Sequence, residues 1–455
     1  MIDRRTLLLA PLPLLAAPPR RPTPLSPQAK TEDWPGFLGP RHNGTSLETK
    51  LKPRFPAGGP PLLWELPKGT GYSSPAIVGD RLVFLHRQGA NEVVECLHPE
   101  TGERYWQHTY STAFEDRYGY NNGPRSSPVI VGARVFTIGA EGKLHCLELA
   151  SGKFLWKRDL LAEYKVPQDF FGVASTPLAW QDRLIINVGA PGGPTVIALE
   201  QTTGKQIWGA GKEWGASYAS PIPATIHGQP RVLVLAGGES RPPTGGLLCL
   251  DPRSGKVDFT FPWRSKSYES VNASCPVAIG NQIFISASYK TGGALLEVTP
   301  DFQPKLLWTT PEFGLHFNTP IHQDGYLYGF DGRNEPDASL ACLELKTGKI
   351  AWRTNPEWTD TLSNGDQSRQ QLMSTYRGNL LQADGRYLAL GELGHLLWME
   401  LTPKGYKELS RAWLFAARET WSLPVLSRGL LYVVQHSRDV LKNTPPRLLC
   451  YDLRA

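Results

Sequence analysis

One short unit recurs along this chain and restricts its fold more than any other feature. It reads Cys96-Leu97-His98-Pro99-Glu100-Thr101-Gly102-Glu103-Arg104-Tyr105-Trp106, and again Cys146-Leu147-Glu148-Leu149-Ala150-Ser151-Gly152-Lys153-Phe154-Leu155-Trp156. Further copies start at Ala198, Cys249 and Cys342, and degenerate ones end at Trp308 and Trp413. In each copy an apolar strand reaches an acidic residue, Thr/Ser-Gly supplies a turn with positive φ, and a second strand ends on a large aromatic residue. The closing aromatics stand at 106, 156, 208, 259, 308, 352 and 413, a spacing of 44–61 residues. Such self-similarity signals a repeat architecture.

Another hairpin precedes each of these. Ser74-Pro75-Ala76-Ile77-Val78-Gly79-Asp80-Arg81-Leu82-Val83-Phe84 and Ser127-Pro128-Val129-Ile130-Val131-Gly132 are the clearest copies. Proline is tolerated at a first strand position, where no ladder donor is needed. Two hairpins make a four-stranded antiparallel sheet of roughly 45–50 residues, a propeller blade. The 45 glycines and 40 prolines supply the turns that so many short strands require.

The count predicts an all-β, eight-bladed propeller over residues 60–455. Seven blades run in order, and an eighth starts near Trp421 but stops at Leu448–Leu453 without its outer strand. Leu62-Leu63-Trp64-Glu65-Leu66 has outer-strand character and no blade before it, so it is expected to complete the last blade. Cys96, Cys146, Cys249, Cys342 and Cys450 share one repeat position on the third strand. Stacked sheets lie about 10 Å apart, beyond the Cα reach of about 7 Å for a disulfide. Free, buried thiols are therefore expected, with Cys275 also unpaired. The polar stretch 355–369, between the sixth and seventh blades, lacks strand periodicity and reads as a surface loop or a lid over the ring.

Residues 1–32 read as a signal peptide and flexible leader, and 33–59 as an N-terminal extension. Arg4-Arg5 precede the 11-residue apolar run Leu7–Ala17, too short to span a bilayer. The arginine pair resembles a twin-arginine signal, although the incomplete motif also fits an ordinary Sec signal. A periplasmic or extracellular location is expected, with no transmembrane segment in the mature chain, which is expected to be monomeric. Of the net charge of +6, residues 1–30 carry +4, from Arg4, Arg5, Arg20, Arg21 and Lys30 against Asp3. The remainder is close to neutral and has no basic stripe, which argues against nucleic acid as a partner. The ten histidines show no His-x-His or His-x-x-x-His pairing for zinc.

The unit [Cys/Ala]-Leu-[Asp/Glu]-x-x-[Thr/Ser]-Gly-Lys-x-x-Trp resembles the repeat of pyrroloquinoline-quinone (PQQ)-type propellers over essentially residues 60–455. Asp33-Trp34-Pro35-Gly36-Phe37-Leu38-Gly39-Pro40 resembles the opening of exported planctomycete-type members. The resemblance implies one of two functions: a PQQ-dependent alcohol or sugar dehydrogenase with calcium, or a non-catalytic binding or scaffold module for an envelope protein, peptide or polymer. Fold alone does not choose.

In such a ring the loop before each innermost strand faces one mouth of the channel. Those loops hold Tyr72, Arg125, Phe171, Trp214, Tyr218, Tyr268, Glu269, Asn272, His316, Asn318, Tyr376, Arg418, Glu419 and Trp421. They form either a ligand pocket or a plug of the channel. For a quinone enzyme, Glu269 and Asn272 are the candidate calcium oxygens and Trp214 or Trp421 the stacking residue. A vicinal cysteine pair and a mouth-loop Asp in matching context are missing, so the expectation is a binding module without catalytic residues, cofactor or metal.

Overall fold

The computed structural model describes residues 20–335, 337–364 and 367–455; the signal-peptide expectation for residues 1–19 lies outside them. Eight four-stranded antiparallel sheets form a closed ring. We name the strands of each blade a to d from the channel outward. Blade 1 comprises Ala76–Val78, Arg81–Gln88, Asn91–Leu97 and Arg104–Ser111, and blades 2–7 repeat this order. Blade 8 takes strands a to c from Val425–Ser427, Leu430–Gln435 and Arg447–Asp452, and strand d from Leu62–Pro67. The N-terminal strand thus closes the ring as the sequence predicts, with Trp64 opposite Cys450. Strands b and c are buried almost throughout, because both faces of each blade are covered by neighbours.

The repeat aromatic is the joint between blades. In blade 1 the register slips between Cys96↔Trp106 and Leu97↔Arg104, a bulge that leaves Tyr105 exposed and turns Trp106 inward. Trp106 lies over the Ser151-Gly152 turn of blade 2 and donates Nε1–H to the Leu149 carbonyl at 2.8 Å. Gly152 has φ +72°, and a Cβ there would fall 2.5 Å from the indole. Trp64, Trp156, Trp208 and Trp308 dock on the next blade in the same manner, through the carbonyls of Pro99, Gln201, Pro252 and Leu345. Trp413 of blade 7 has no such turn to meet, because blade 8 takes its strand d from the other end of the chain. It bonds instead to the Leu393 carbonyl and stacks on His395.

All six cysteines are free and buried, as expected from blade spacing. Burial pushes the Cys96 and Cys146 thiols up to about 12, so they behave as small apolar groups.

The N-terminal extension crosses the face opposite the mouth. Trp34 exchanges backbone hydrogen bonds with Ile77, and the Pro35 carbonyl accepts from Ile130. Gly44 and Ser46 pair with Gln382 of blade 7, and Glu48 accepts from the backbone of Arg428 and Gly429 in blade 8. Residues 20–32, expected as a flexible leader, lie against the closing blade: Arg20 donates to the Leu63 carbonyl and Thr23 to Asp452.

The 355–369 stretch differs from the expected loop. It belongs to a two-stranded ribbon, Glu357–Asn364 with Gln367–Ser374. Trp358 packs edge-on to His395 at 4.8 Å, and Asp360 accepts from the Trp358 indole at 2.7 Å and bonds His395 Nε2 at 2.8 Å. The ribbon was hidden in the sequence because its residues are mostly polar and only Trp358 and Met373, which stand opposite each other, supply buried apolar anchors. Among the described residues, no helix is long and apolar enough to cross a membrane.

Inter-blade docking predicts a graded mutant series. Trp106→Phe should cost about 1 kcal/mol, the value of one hydrogen bond, and Trp106→Ala about 3–5 kcal/mol. Chemical denaturation should give that order; equal midpoints for the two variants would contradict the docking role.

Candidate functional site: the channel mouth

A belt of hydroxyls fixes the start of the mouth loops. Ser127 Oγ accepts from Ser74 N, Thr176 Oγ1 from Ser127 N, and Ser220 Oγ from Thr176 N, at 2.9–3.2 Å. Cys275 Sγ accepts from Ser220 N, and Thr319 Oγ1 from Cys275 N. From blade 2 to blade 6 the residue before the first-strand proline therefore satisfies the backbone N–H of the preceding blade, which the short strand a leaves unpaired, whereas Ser74 of blade 1 donates to the Leu423 carbonyl. Loops anchored this way hold their side chains in fixed positions above the channel.

Above the belt runs a file of aromatic rings. Tyr268 meets Phe170 edge-on at 5.6 Å, and Phe170 lies 6.0 Å from Tyr118. Tyr118 is 5.3 Å from Phe171, Phe171 6.0 Å from Tyr120, and Tyr120 5.7 Å from Trp421. Trp421 continues to Phe317 at 5.6 Å and stacks on Tyr72 at 5.2 Å with an 18° tilt. The rings come from loops of distant blades, and the 112–126 connection carries Tyr118 and Tyr120 across the ring. Guanidinium groups lie over them: Arg241 is 3.8 Å from the Tyr268 ring centre, Arg377 4.9 Å from that of Trp421 and Arg333 4.3 Å from that of Tyr289. Arg125 sits 5.4 Å from the ring centre of Tyr72 and 5.7 Å from that of Phe171.

Three of the mouth arginines, Arg117, Arg125 and Arg377, are matched by carboxylates. Arg125 pairs with Asp116 and Arg117 with Glu239, which also accepts from the Tyr268 hydroxyl. Arg377 bonds Glu392 through two contacts of 2.9 Å and Glu335 at 2.6 Å. Trp421 Nε1 donates to both Glu392 oxygens, at 2.9 and 3.0 Å. Burial raises the Glu392 carboxyl to about 7; Arg377 offsets part of that rise and Glu335 adds to it. Burial, with help from Arg377 and Arg333, lowers His316 to about 3, so it stays neutral beside the Tyr289 hydroxyl at 3.2 Å.

The structure brings together only part of the predicted set. Arg125, Tyr218, His316, Glu419 and Trp421 belong to the mouth, with Glu419 accepting from the Tyr72 hydroxyl at 2.5 Å and Tyr218 from Phe171 N at 3.0 Å. Asn272 is fully buried, its Nδ2 donating to the Ala236 and Trp263 carbonyls. Asn318 pairs with both backbone groups of Phe330. Trp214 packs against the cluster around Val232 and Leu248. These three turn into the blades because a loop residue next to strand a can satisfy blade backbone or fill blade core. Glu269 and Arg418 are exposed at the rim. Sequence reasoning missed Arg377, Glu392, Phe317, Phe170, Tyr118 and Tyr120. The Tyr-Gly-Tyr-Asn-Asn-Gly run at 118–123 was the available signal for the tyrosines.

Residues 90–354, more than half of the chain, match a family model described as outer membrane protein assembly factor BamB. The chain belongs to this family of PQQ-type propellers. It is 26% identical to the outer membrane protein assembly factor BamB of Burkholderia pseudomallei over 46% of this chain and 47% of that protein. It is also 27% identical to the dehydrogenase subunit of a quinone alcohol dehydrogenase of Gluconobacter oxydans, over 38% of this chain and 23% of that protein. The matched segments thus span less than half the length of these curated relatives. The quinohemoprotein alcohol dehydrogenase of Comamonas testosteroni superimposes with a TM-score of 0.62, covering 92% of this chain and 80% of that one at 13% identity, a likeness of fold alone.

The mouth of this PQQ-type propeller does not fit a quinone with calcium. Trp421 is already covered by Tyr72 and Arg377. Glu269 is exposed, whereas the Asn272 amide is buried in blade backbone, so the expected oxygen donors do not converge. Glu392 and Asp116 face arginines at hydrogen-bonding distance.

Glu392 makes the fold sensitive to pH in one direction. Its folded pKa stands above the ordinary value of 4.5, so the folded state binds the extra proton between pH 4.5 and about 7. The stability linked to that proton is complete below 4.5 and is lost as pH rises through about 7. Melting curves across this window should slope downward for the native chain and less steeply for Glu392→Gln; equal slopes would contradict the assignment.

Proposed function

We propose that this chain is an exported, non-catalytic propeller that binds its partner through the mouth, as a binding or scaffold module in the periplasm or at the cell envelope. The observation that carries this reading is the aromatic file across the mouth, with arginines whose carboxylate partners are themselves engaged. Tyr118 and Tyr120 are 44% and 49% exposed, although tyrosines needed only as a plug would be covered. Large, stiff aromatic residues with polar tips give contact area at low entropic cost, which is the composition of recognition surfaces. Kinship with a protein named as an assembly factor supports the binding role. Kinship with a quinone dehydrogenase favours the second reading, a PQQ-dependent alcohol or sugar oxidoreductase with calcium. The mismatch of donors and the covered Trp421 speak against it.

Reconstitution separates the two. The chain is incubated with PQQ and calcium, then assayed for retained quinone absorbance and for dye reduction over a panel of alcohols and sugars. No quinone retention and no turnover are expected. Quinone-dependent turnover that disappears in Trp421→Ala would overturn the non-catalytic reading.

A further inference from the structure

Val440 is the most exposed large apolar side chain among the described residues, at 75%, and its neighbour Leu441 is 45% exposed. Both sit at the tip of the turn between strands b and c of blade 8, on the mouth face. This turn is fixed. The carboxylate of Asp439, itself buried, accepts from Leu441 N and Lys442 N at 2.9 Å through Oδ1 and from Ala416 N at 3.2 Å through Oδ2. Asp439 N donates to the Thr444 carbonyl and Val440 N to the Ala416 carbonyl. The backbone is thereby tied to the loop that precedes blade 8, and the two apolar side chains are held outward in water.

Cations surround the tip. Arg438 and Lys442 flank it, both exposed, and exposed Arg418 stands beside it, its carbonyl accepting from Ser437 Oγ at 3.1 Å. Among the described residues none of the three pairs with a carboxylate: Asp439 is engaged by backbone N–H groups, and nearby Glu419 takes the Tyr72 hydroxyl. We infer that this tip inserts into the headgroup region of an anionic lipid bilayer, so that the blade 8 edge of the mouth face rests on the membrane. A projecting apolar tip needs a matching pocket on a protein partner, whereas a bilayer interface accommodates it anywhere. Val440 and Leu441 leave water there, and Arg418, Arg438 and Lys442 meet lipid phosphates. Tyr118 and Tyr120 expose rings with polar tips on the same face, a residue type favoured at headgroup depth. Tyr120 also contacts Trp421 of the loop that carries Arg418. The inference goes beyond the binding role proposed above and does not depend on what the mouth takes.

The test is co-sedimentation with sucrose-loaded vesicles, using the mature chain freed of the leader, whose apolar run Leu7–Ala17 would itself enter a bilayer. Vesicles of phosphatidylcholine with about one-third phosphatidylglycerol should bind at least about tenfold more tightly than phosphatidylcholine alone, because three cations face the anionic surface. The double variant Val440→Ser/Leu441→Ser should weaken that binding about tenfold, and Lys442→Glu should weaken it by about the same factor. Tyr105→Ala, on the outer edge of blade 1, should leave it unchanged. All four positions are exposed, and circular dichroism verifies that the variants fold. An environment-sensitive fluorophore on Val440→Cys, the native thiols being buried, should shift to the blue on the anionic vesicles. The inference is overturned if these vesicles do not bind, if the serine pair leaves binding unchanged, or if the fluorophore does not shift. It is also overturned if soluble poly-glutamate binds with the same dependence on Val440 and Leu441, which would make the tip a site for an acidic protein segment. None of these outcomes bears on the non-catalytic reading, which the quinone assay judges separately.

Discussion

The ring depends on one contact repeated around it: an indole from the outer strand of one blade lying on a glycine turn of the next. Strand hydrogen bonds hold each blade internally but say nothing about how blades join. The joint requires a bulge to point the tryptophan inward, a carbonyl to accept its N–H, and a turn residue without a side chain. Trp106 on Gly152 shows all three, with φ +72° and no room for a Cβ. A sequence carrying this triple in register must stack its blades, and the number of copies then sets the size of the ring. Its exceptions are equally physical. The blade 5 turn carries Phe302, over which Arg231 lies at 4.0 Å, Trp352 bonds the Thr402 carbonyl of a turn whose Gly405 lies clear of the indole, and Trp413 faces blade 8, whose strands c and d are not joined by a turn.

This is why the architecture was legible from sequence. Blade count, closure by Leu62–Leu66 and the unpaired cysteines all follow from local patterns at fixed spacing, each of which demands one backbone geometry. The ribbon at 357–374 escaped because its buried anchors, Trp358 and Met373, are too few to show a period. The course of the N-terminal extension escaped for a different reason. Its partners include backbone groups hundreds of positions away, such as Arg428 N and Gly429 N, which donate to Glu48, and no side-chain pattern announces a backbone donor.

The mouth was half legible. The loops could be located, because the Ser/Thr-Pro dipeptide marks where each begins, but residue type did not reveal which way a side chain turns. Asn272 and Asn318 look like ligand groups in a loop and in fact replace missing ladder bonds. Arg377 and Glu392 look ordinary in sequence. Glu392 lies in a Gly391-Glu392-Leu393-Gly394 turn between strands b and c of blade 7, outside the connections where a mouth residue would be sought. It becomes part of the site only because Arg377 and Trp421 converge on it from other segments.

That convergence also explains how one fold serves unlike purposes. The indole joints lie on the outer strands and the hydroxyl belt lies below the mouth, so neither restricts what the loops above carry. A site for a redox cofactor needs converging oxygen donors and an open aromatic face. Here the carboxylates have been given to arginines and the face of Trp421 to Tyr72. The pairs Arg125–Asp116 and Arg377–Glu392 largely cancel one another's field where a metal ion or a charged cofactor would have to sit. The long connection at 112–126 enlarges the aromatic surface of the mouth by carrying two exposed tyrosines over the channel. It can do so without loosening the ring, because the loop is tied at its base by Arg87 to the Phe114 and Asn122 carbonyls and by Arg125 to Asp116.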